Sequence, residues 1–326
     1  MKSVAIIGAG LAGISLANQL GGNYEVTIYE KSSAVGGRMS TRQFQDFQFD
    51  HGAQFFTART KEFGKLIDEA IDQRIVRAWK PKIVTLDTAN RNFKREWFET
   101  HYVAQPGMSG LCEYLASDLS IKFQSPVTAY YHEKGIWKLF GREEKELGHY
   151  DWIINALPSS QLVSLLPSDS RLLKEAQAAS YLPCFSLMLG YQSDLQLNFE
   201  TAIVRNSPIS WIAVDSSKPE RTGLYSLLVH SDNEWANENI GRDISDIEQE
   251  LLAALRELLG GNVVHPDYIS THRWLFAKVK SAADTEFLLD SEQKIAACGD
   301  WCLGSRVEDA YISGLKLGKQ INKLAH

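Results

Sequence analysis

The chain has 326 residues, 44% of them hydrophobic and 23% charged, which is enough to bury a sizeable core spread over two structural units. Lys and Arg number 34 against 40 Asp and Glu, a net charge of −6 that argues against a sequence-independent grip on nucleic acid. No uninterrupted apolar stretch reaches the roughly 18 residues of a membrane span, so neither nucleic acid nor a membrane is expected as a partner. The 4 cysteines, Cys112, Cys184, Cys298 and Cys302, are too few for a disulfide scaffold, and no paired C-x-x-C marks a metal site. Reduced thiols in a cytoplasmic protein are the expectation. The small apolar run after Met1-Lys2 reads as a strand rather than a signal peptide, because it carries ordered glycines and continues into a second strand pattern.

Val4-Ala5-Ile6-Ile7 has the pattern of a strand buried on both faces. Gly8-Ala9-Gly10-Leu11-Ala12-Gly13 follows, then helical spacing from Ile14 to Leu20, then the strand Val26-Thr27-Ile28-Tyr29 ending in Glu30. The order strand, G-x-G-x-x-G, helix, strand, acid is that of a dinucleotide-binding unit. Gly8 serves the tight turn, Gly10 the approach of a pyrophosphate, and Gly13 the packing of helix on strand. Free N–H groups at the helix start face the phosphates. Glu30 stands where a ribose hydroxyl needs a carboxylate, and an acid there disfavours a 2′-phosphate on the bound nucleotide.

Just beyond it, Lys31-Ser32-Ser33-Ala34-Val35-Gly36-Gly37-Arg38 places a double glycine and an arginine. Here the sequence resembles the FAD-binding proteins of the amine-oxidase superfamily, whose second signature is G-G-R in this place. That resemblance implies glycines passing close to the flavin side of the pyrophosphate, and an arginine neutralising it. It also implies that Asp50-His51-Gly52-Ala53-Gln54-Phe55-Phe56 runs beside the flavin ring. Gly52 and Ala53 would leave room for a flat ring, Gln54 would offer an amide, and Phe55 and Phe56 would form apolar walls. His51 reads as a structural histidine on a strand.

Phe63, Leu66, Ile67, Ala70 and Ile71 mark an amphipathic helix. An aromatic and charged stretch, 79–102, leads to Pro106-Gly107-Met108-Ser109 and a second helix, with Ser109 as its N-cap and Leu111, Cys112, Leu115 and Leu119 turned inward. Residues 123–127, 129–133 and 136–140 read as strands of a small antiparallel unit, with Gly135 in a turn. Tyr150-Asp151-Trp152-Ile153-Ile154-Asn155-Ala156-Leu157-Pro158 reads as a buried strand ending in a small residue and proline, with a helix beginning at Pro158. Further strands are expected at 184–191, 210–214 and 224–230, and a long helix from Ile244 to Leu258 closed by Gly260-Gly261. Of Trp211, Trp235 and Trp274, one or two are expected to reach a substrate pocket. Residues 294–301 form a strand ending in Gly299-Asp300, and Ser305-Arg306-Val307 opens the last helix.

The fold class expected is α/β: a Rossmann-like FAD-binding domain of the amine-oxidase type, formed by 1–60, 103–165 and 286–326, with an interleaved mixed-sheet substrate domain from 61–102 and 166–285. The resemblance narrows on several segments together: residues 49–59, Ser216-Ser217-Lys218-Pro219, Leu228-Val229-His230, Asn233-Glu234-Trp235, His272-Arg273-Trp274 and Cys298-Gly299-Asp300-Trp301. These are similar to bacterial renalase-type flavoproteins over nearly the whole chain. The resemblance implies an FAD-dependent oxidase of the 2- and 6-dihydro isomers of NAD(P), with O2 as electron acceptor and hydrogen peroxide as product.

The cofactor contacts it implies are Gly8, Gly10, Leu11, Ala12, Gly13, Glu30, Lys31, Gly37 and Arg38 at the nucleotide end. His51, Gly52, Ala53, Gln54, Val127 and Pro158 follow, then Gly299, Asp300, Arg306, Val307 and Ala310 at the return of the chain. Attachment is expected to be non-covalent, since no cysteine sits in a linkage motif. A dihydropyridine becomes aromatic on losing hydride, so the reaction demands stacking and orientation rather than a strong base. Substrate contacts are therefore expected among Gln54, Phe55, Phe56, Thr57, Arg59, Tyr102, His272, Arg273 and Trp274. Three rivals stay open: a flavin amine oxidase, with Lys278 or Lys280 near the ring, a non-catalytic flavin-binding protein, and an NAD-only dehydrogenase, which Gly36-Gly37-Arg38 and Gly299-Asp300 weaken.

Overall fold

The structure is a computed structural model that describes residues 1–87, 93, 94, 98–260, 263 and 265–324. The first strand, Lys2–Ile7, buries Val4 to Ile7 on both faces and sits at the centre of a six-stranded sheet. Tyr24–Tyr29 and Ile121–Lys122 pair parallel on one side of it, Trp152–Asn155 and Ile295–Ala297 on the other. Leu288–Asp290 closes that edge antiparallel. Continuous apolar runs at these strands follow from burial on both faces. One face is covered by the first helix, Leu11–Leu20, and the last helix, Val307–Lys323. The antiparallel meander Ala129–Glu133, Ile136–Phe140 and Glu146–Tyr150 covers the other, with Gly135 in its turn at φ +83°.

The second sheet has seven strands. The long edge strand Tyr268–Ser281 pairs with Ser180–Tyr191, followed by Tyr225–Ser231, Ile209–Val214, Thr201–Arg205, Ile83–Asp87 and Phe93–Lys94. Helix Ile244–Leu259 turns Ile247, Leu251 and Leu255 onto this sheet and ends at Gly260, φ +67°. Gly261 of the expected closure, and 88–92 and 95–97 of the aromatic stretch, lie outside the described residues. Helix Lys61–Asp72 buries Phe63, Leu66, Ile67 and Ala70 in the core beside the first and last helices.

Two local expectations are corrected. Residues 123–127 do not form a strand, because Gln124 adopts φ +51° and the backbone N–H groups of Gln124 and Ser125 donate to Ser32 and Glu30 carbonyls at 3.0 and 2.9 Å. Ser109 stands at the N-cap of Gly110–Leu115 but makes no cap hydrogen bond, since its backbone is already helical at φ −63°, ψ −25°. Leu119 lies beyond that helix and still packs on the core.

The first and last helices cross at their small residues. A Cβ added at Gly314 would lie 2.2 Å from the Ala12 carbonyl oxygen, and Ser15 Oγ donates to the Tyr311 carbonyl at 2.8 Å. This contact brings both helix N-termini to one side of the first sheet. Gly314→Leu is expected to destabilise the protein by about 3 kcal/mol through overpacking and to release the bound cofactor. Gly241→Ala, where an added Cβ meets nothing within 4 Å, is expected to do neither. Urea titration and flavin release on gel filtration check both.

Candidate functional site

A cavity of about 1440 Å³ runs between the two sheets, well above the roughly 300–1,000 Å³ of ordinary small-molecule sites. Glu30, Lys31 and Val127 line it, together with Gly8, Gly10, Leu11 and Ala12. Gly37, Arg38 and Pro158 continue it, followed by Gly299 and Asp300. His51, Gly52, Ala53 and Gln54 border it as well, as do Arg306, Val307 and Ala310. Every expected cofactor contact except Gly13 thus borders one cavity. Gly13 has the packing role expected of it: an added Cβ would lie 2.2 Å from the Gly8 carbonyl oxygen and 3.3 Å from Ile6.

The cavity fits FAD. Nothing lies within 4 Å of where a Cβ at Gly10 would stand, so the backbone there is open to a phosphate. The N–H groups of the first helical turn, unused inside a helix, face that space. Glu30 Oε2 accepts from Ala9 N–H and Oε1 from Ser32 N–H, both at 2.8 Å. Each carboxylate oxygen has further capacity for a ribose hydroxyl. Arg38 and Asp300 form a bidentate pair at 2.7 and 2.6 Å across 262 positions of sequence, so the guanidinium of the G-G-R segment is already balanced by the acid that follows the return strand. Gly52 borders the cavity, and its small size is also required by a contact on its other side. Its missing Cβ points at the Arg38 carbonyl oxygen, 2.0 Å away, so it lets two chain segments meet.

His51 shapes the other half. Its carbonyl accepts from Ser186 Oγ at 2.7 Å and from Trp274 Nε1 at 2.8 Å, with His230 Nε2 at 3.4 Å. Its ring packs edge-on to His272 at 5.0 Å and tilted on Trp274 at 5.2 Å. Burial, with repulsion from His272, Arg42 and His230, depresses the His51 ring to about 3, and burial takes His230 to about 4. These rings are therefore neutral near pH 7.

The expected substrate contacts divide. Gln54, Phe55, His272 and Trp274 line the cavity, as does Trp211, while Trp235 packs on Phe185 in the second core. Phe56, Thr57, Arg59 and Tyr102 do not line it. Phe56 is buried against Phe63 and Tyr102, with which it exchanges backbone hydrogen bonds of 2.9 and 2.8 Å. Arg59 points to solvent and pairs with Glu99, Nε–Oε2 2.9 Å. Arg273 borders the cavity only through its place on the strand. Strand alternation turns its guanidinium to the opposite face, 5.6 Å from the Phe185 ring and bonded to the Arg242 carbonyl at 2.5 Å. Gln54 has its amide N–H groups taken by the Asp50 and Gly52 carbonyls, and its Oε1 receives Lys218 Nζ at 3.5 Å.

Behind Gln54 lies a buried ionic cluster to which the sequence reading gave no role. Lys218 Nζ contacts Asp50 Oδ2 at 2.9 Å and also Asp215, with no exposed side-chain area on Lys218. Arg221 bonds Asp50 Oδ2 at 2.7 Å and the Ala104 carbonyl at 2.8 Å. Thr41 Oγ1 and Met108 N–H complete Asp50 at 2.7 and 2.8 Å. Burial alone would raise the Asp50 carboxyl, but Lys218 and Arg221 hold it well below the usual range, while burial raises Asp215. The only sequence signals were a charged residue in Ser216-Ser217-Lys218-Pro219 and the acid before His51.

Lys218→Met leaves this cluster's carboxylates short of a cation and is expected to cost about 3 kcal/mol in urea unfolding. A second expectation concerns pH. The folded-state pKa of His51 lies below the unfolded value of 6.5, so the unfolded chain binds the extra proton. Stability is therefore full above about 6.5 and falls as pH drops toward 3, by at most about 1.4 kcal/mol per pH unit for this ring. The unfolding midpoint measured against pH checks the slope, and His51→Gln should flatten it.

All four cysteines are free and buried, and no cluster of His, Cys, Asp and Glu suited to a metal occurs among the described residues. Among them, no helix is long and apolar enough to cross a membrane. The pattern of an NAD(P)-binding Rossmann-like domain matches residues 6–70. A 4,4'-diapophytoene desaturase (4,4'-diaponeurosporene-forming) of Staphylococcus haemolyticus is 35% identical over 78 residues, 22% of this chain and only 16% of that protein. Cyclohexylamine oxidase from Brevibacterium oxydans superposes with a TM-score of 0.77 at 14% identity over 100% of both chains. Putrescine oxidase bound to putrescine gives 0.78 at 12% identity over 99% of both. At these identities the likeness is one of fold. The pattern of the flavin-containing amine oxidoreductases matches residues 88–321, more than half of the chain. With a cavity that fits a non-covalent FAD, the chain belongs to the flavin-containing amine oxidoreductase family.

Proposed function

We propose that this oxidoreductase is an FAD-dependent oxidase of misreduced dihydronicotinamide dinucleotides, yielding NAD(P)+ and, with O2, hydrogen peroxide. The observation that carries this reading is the character of the cavity wall. Its carboxylates among the described residues are Glu30 and Asp300, both engaged by other groups of the chain. The substrate end presents Trp211, Trp274 and neutral His272, with Arg42 and Lys278 as cations. Such a wall suits a flat, anionic substrate, whereas an ammonium group finds no carboxylate there among the described residues. In this reading residues 1–60, 103–165 and 286–326 hold the cofactor, 61–102 and 166–285 shape the substrate side, and the protein works in the cytoplasm.

Bound FAD supplies hydride acceptance at its N5 and reoxidation by O2. The chain supplies position. Trp274, fixed by its Nε1–His51 hydrogen bond, is the stacking wall for a nicotinamide. His272, edge-on to Trp274 at 4.4 Å, limits its sideways movement. The hydride donor gains aromaticity and gives up no proton, so neutral imidazoles suffice and no base is needed at the wall.

Amine oxidation is the second reading, favoured by the family and by the fold likeness to two amine oxidases. Lys280 lies exposed and 3.4 Å from Glu234, while Lys278 borders the cavity. Anaerobic stopped-flow mixing separates the two. Rapid bleaching of the flavin by 6-dihydro-NAD, and none by primary amines, is expected. Bleaching by amines alone would replace this reading with the second, and bleaching by neither would favour a flavin-binding protein. Trp274→Ala is expected to lower kcat/KM for the dihydro isomers about 10-fold, the size of one lost stacking contact.

A further inference from the structure

Arg42 is a cavity cation beside the aromatic wall that no carboxylate balances among the described residues. Arg42 opens the strand Arg42–Phe44, which pairs with Phe47–Phe49 in a hairpin beside the start of the edge strand. Its Nη1 lies 3.4 Å from Ser270 Oγ, on the strand that carries His272 and Trp274. Among the described residues no acid pairs with it, whereas Arg38 is bound to Asp300 and Arg306 to Asp309. Its charge is felt at His51 and His272, both of whose rings it helps to keep neutral.

His51 supplies the second observation. The residue is 6% exposed and borders the cavity, and its Nδ1 has no hydrogen-bond partner. A buried ring nitrogen left unpaired costs roughly 1–3 kcal/mol, a cost that a bound ligand removes. A guanidinium beside a neutral ring donor is a setting for a phosphate oxygen with a polar group next to it.

We propose that Arg42 and His51 Nδ1 form the anion subsite of the substrate, with the Arg42 guanidinium holding the pyrophosphate arm while the nicotinamide lies against Trp274. This rests on the dinucleotide reading above and adds its chemical determinant: the protein selects dihydropyridines that carry a phosphate.

The test uses the FAD-loaded protein and two substrates, 6-dihydro-NAD and the uncharged 6-dihydronicotinamide riboside. Loss of a charge-assisted hydrogen bond, about 2 kcal/mol, corresponds to about 30-fold. Arg42→Ala is expected to raise KM for the dinucleotide about 30-fold, with a loss on the riboside at least tenfold smaller. Arg42→Lys should recover only part of it. An unchanged KM for the dinucleotide, or an equal loss on both substrates, overturns the proposal.

A second arm needs no turnover: ADP-ribose titrated against the flavin absorbance. Weaker binding to Arg42→Ala and to His51→Phe than to the parent protein supports the subsite. Equal binding, or no binding to the parent protein, overturns it. Should neither dihydro compound bleach the flavin, the dinucleotide oxidase reading fails by itself, and the ADP-ribose arm still decides the anion subsite.

Discussion

The close crossing of the first and last helices governs this molecule. Gly314 sits against the Ala12 carbonyl because neither residue has bulk to keep the helices apart. Two helix N-termini, separated by almost the whole chain, then open on one cavity. Each brings unpaired N–H groups and the positive end of a helix dipole. One suits a pyrophosphate and the other the electron-rich edge of a reduced ring. The Arg38–Asp300 pair repeats the same closure in ionic form, joining the G-G-R loop to the returning strand.

The segment from Asp50 to Gln54 is where the two sheets are joined. Its Asp50 carboxylate is held by Lys218 and Arg221, and its His51 carbonyl by donors on three strands of the second sheet. The second sheet therefore fixes the stretch from His51 to Gln54 along the cavity, while the first sheet fixes the glycine turn and the start of the first helix. Buried ion pairs contribute little net stability against an apolar alternative. What this one contributes is geometry: each hydrogen bond constrains the direction of the loop at Gly52, where the chain passes against Arg38.

The cofactor half was legible from sequence because its signals are local. The glycines of 8–13, Glu30, Gly36-Gly37-Arg38 and Gly299-Asp300 each sit at a fixed offset from a strand end, and the structure gathers them along one cavity. The substrate half was less legible because its contacts depend on which face of a strand a residue takes and on pairings far apart in sequence. Arg273 and Arg59 read as contacts, but one lies across the sheet and the other is drawn out by Glu99. Lys218 and Arg221 meet Asp50 over 168 and 171 positions, and nothing near any of them in sequence announces the meeting. Arg42 escaped notice for the opposite reason. It follows the G-G-R motif closely and reads as an ordinary strand residue until Ser270 is seen beside it.

The pairing of Tyr268–Ser281 with Ser180–Tyr191 has a chemical meaning beyond holding an edge in place. Trp274 stands opposite Cys184, Arg273 opposite Phe185 and His272 opposite Ser186. A slip of one residue would exchange the two faces, sending a guanidinium into the cavity and an imidazole and an indole into the apolar layer under Phe185. The ladder's alignment thus determines whether the wall is aromatic or charged, so the hydrogen bonds of this one border strand write the pocket's chemical preference as surely as the side chains do.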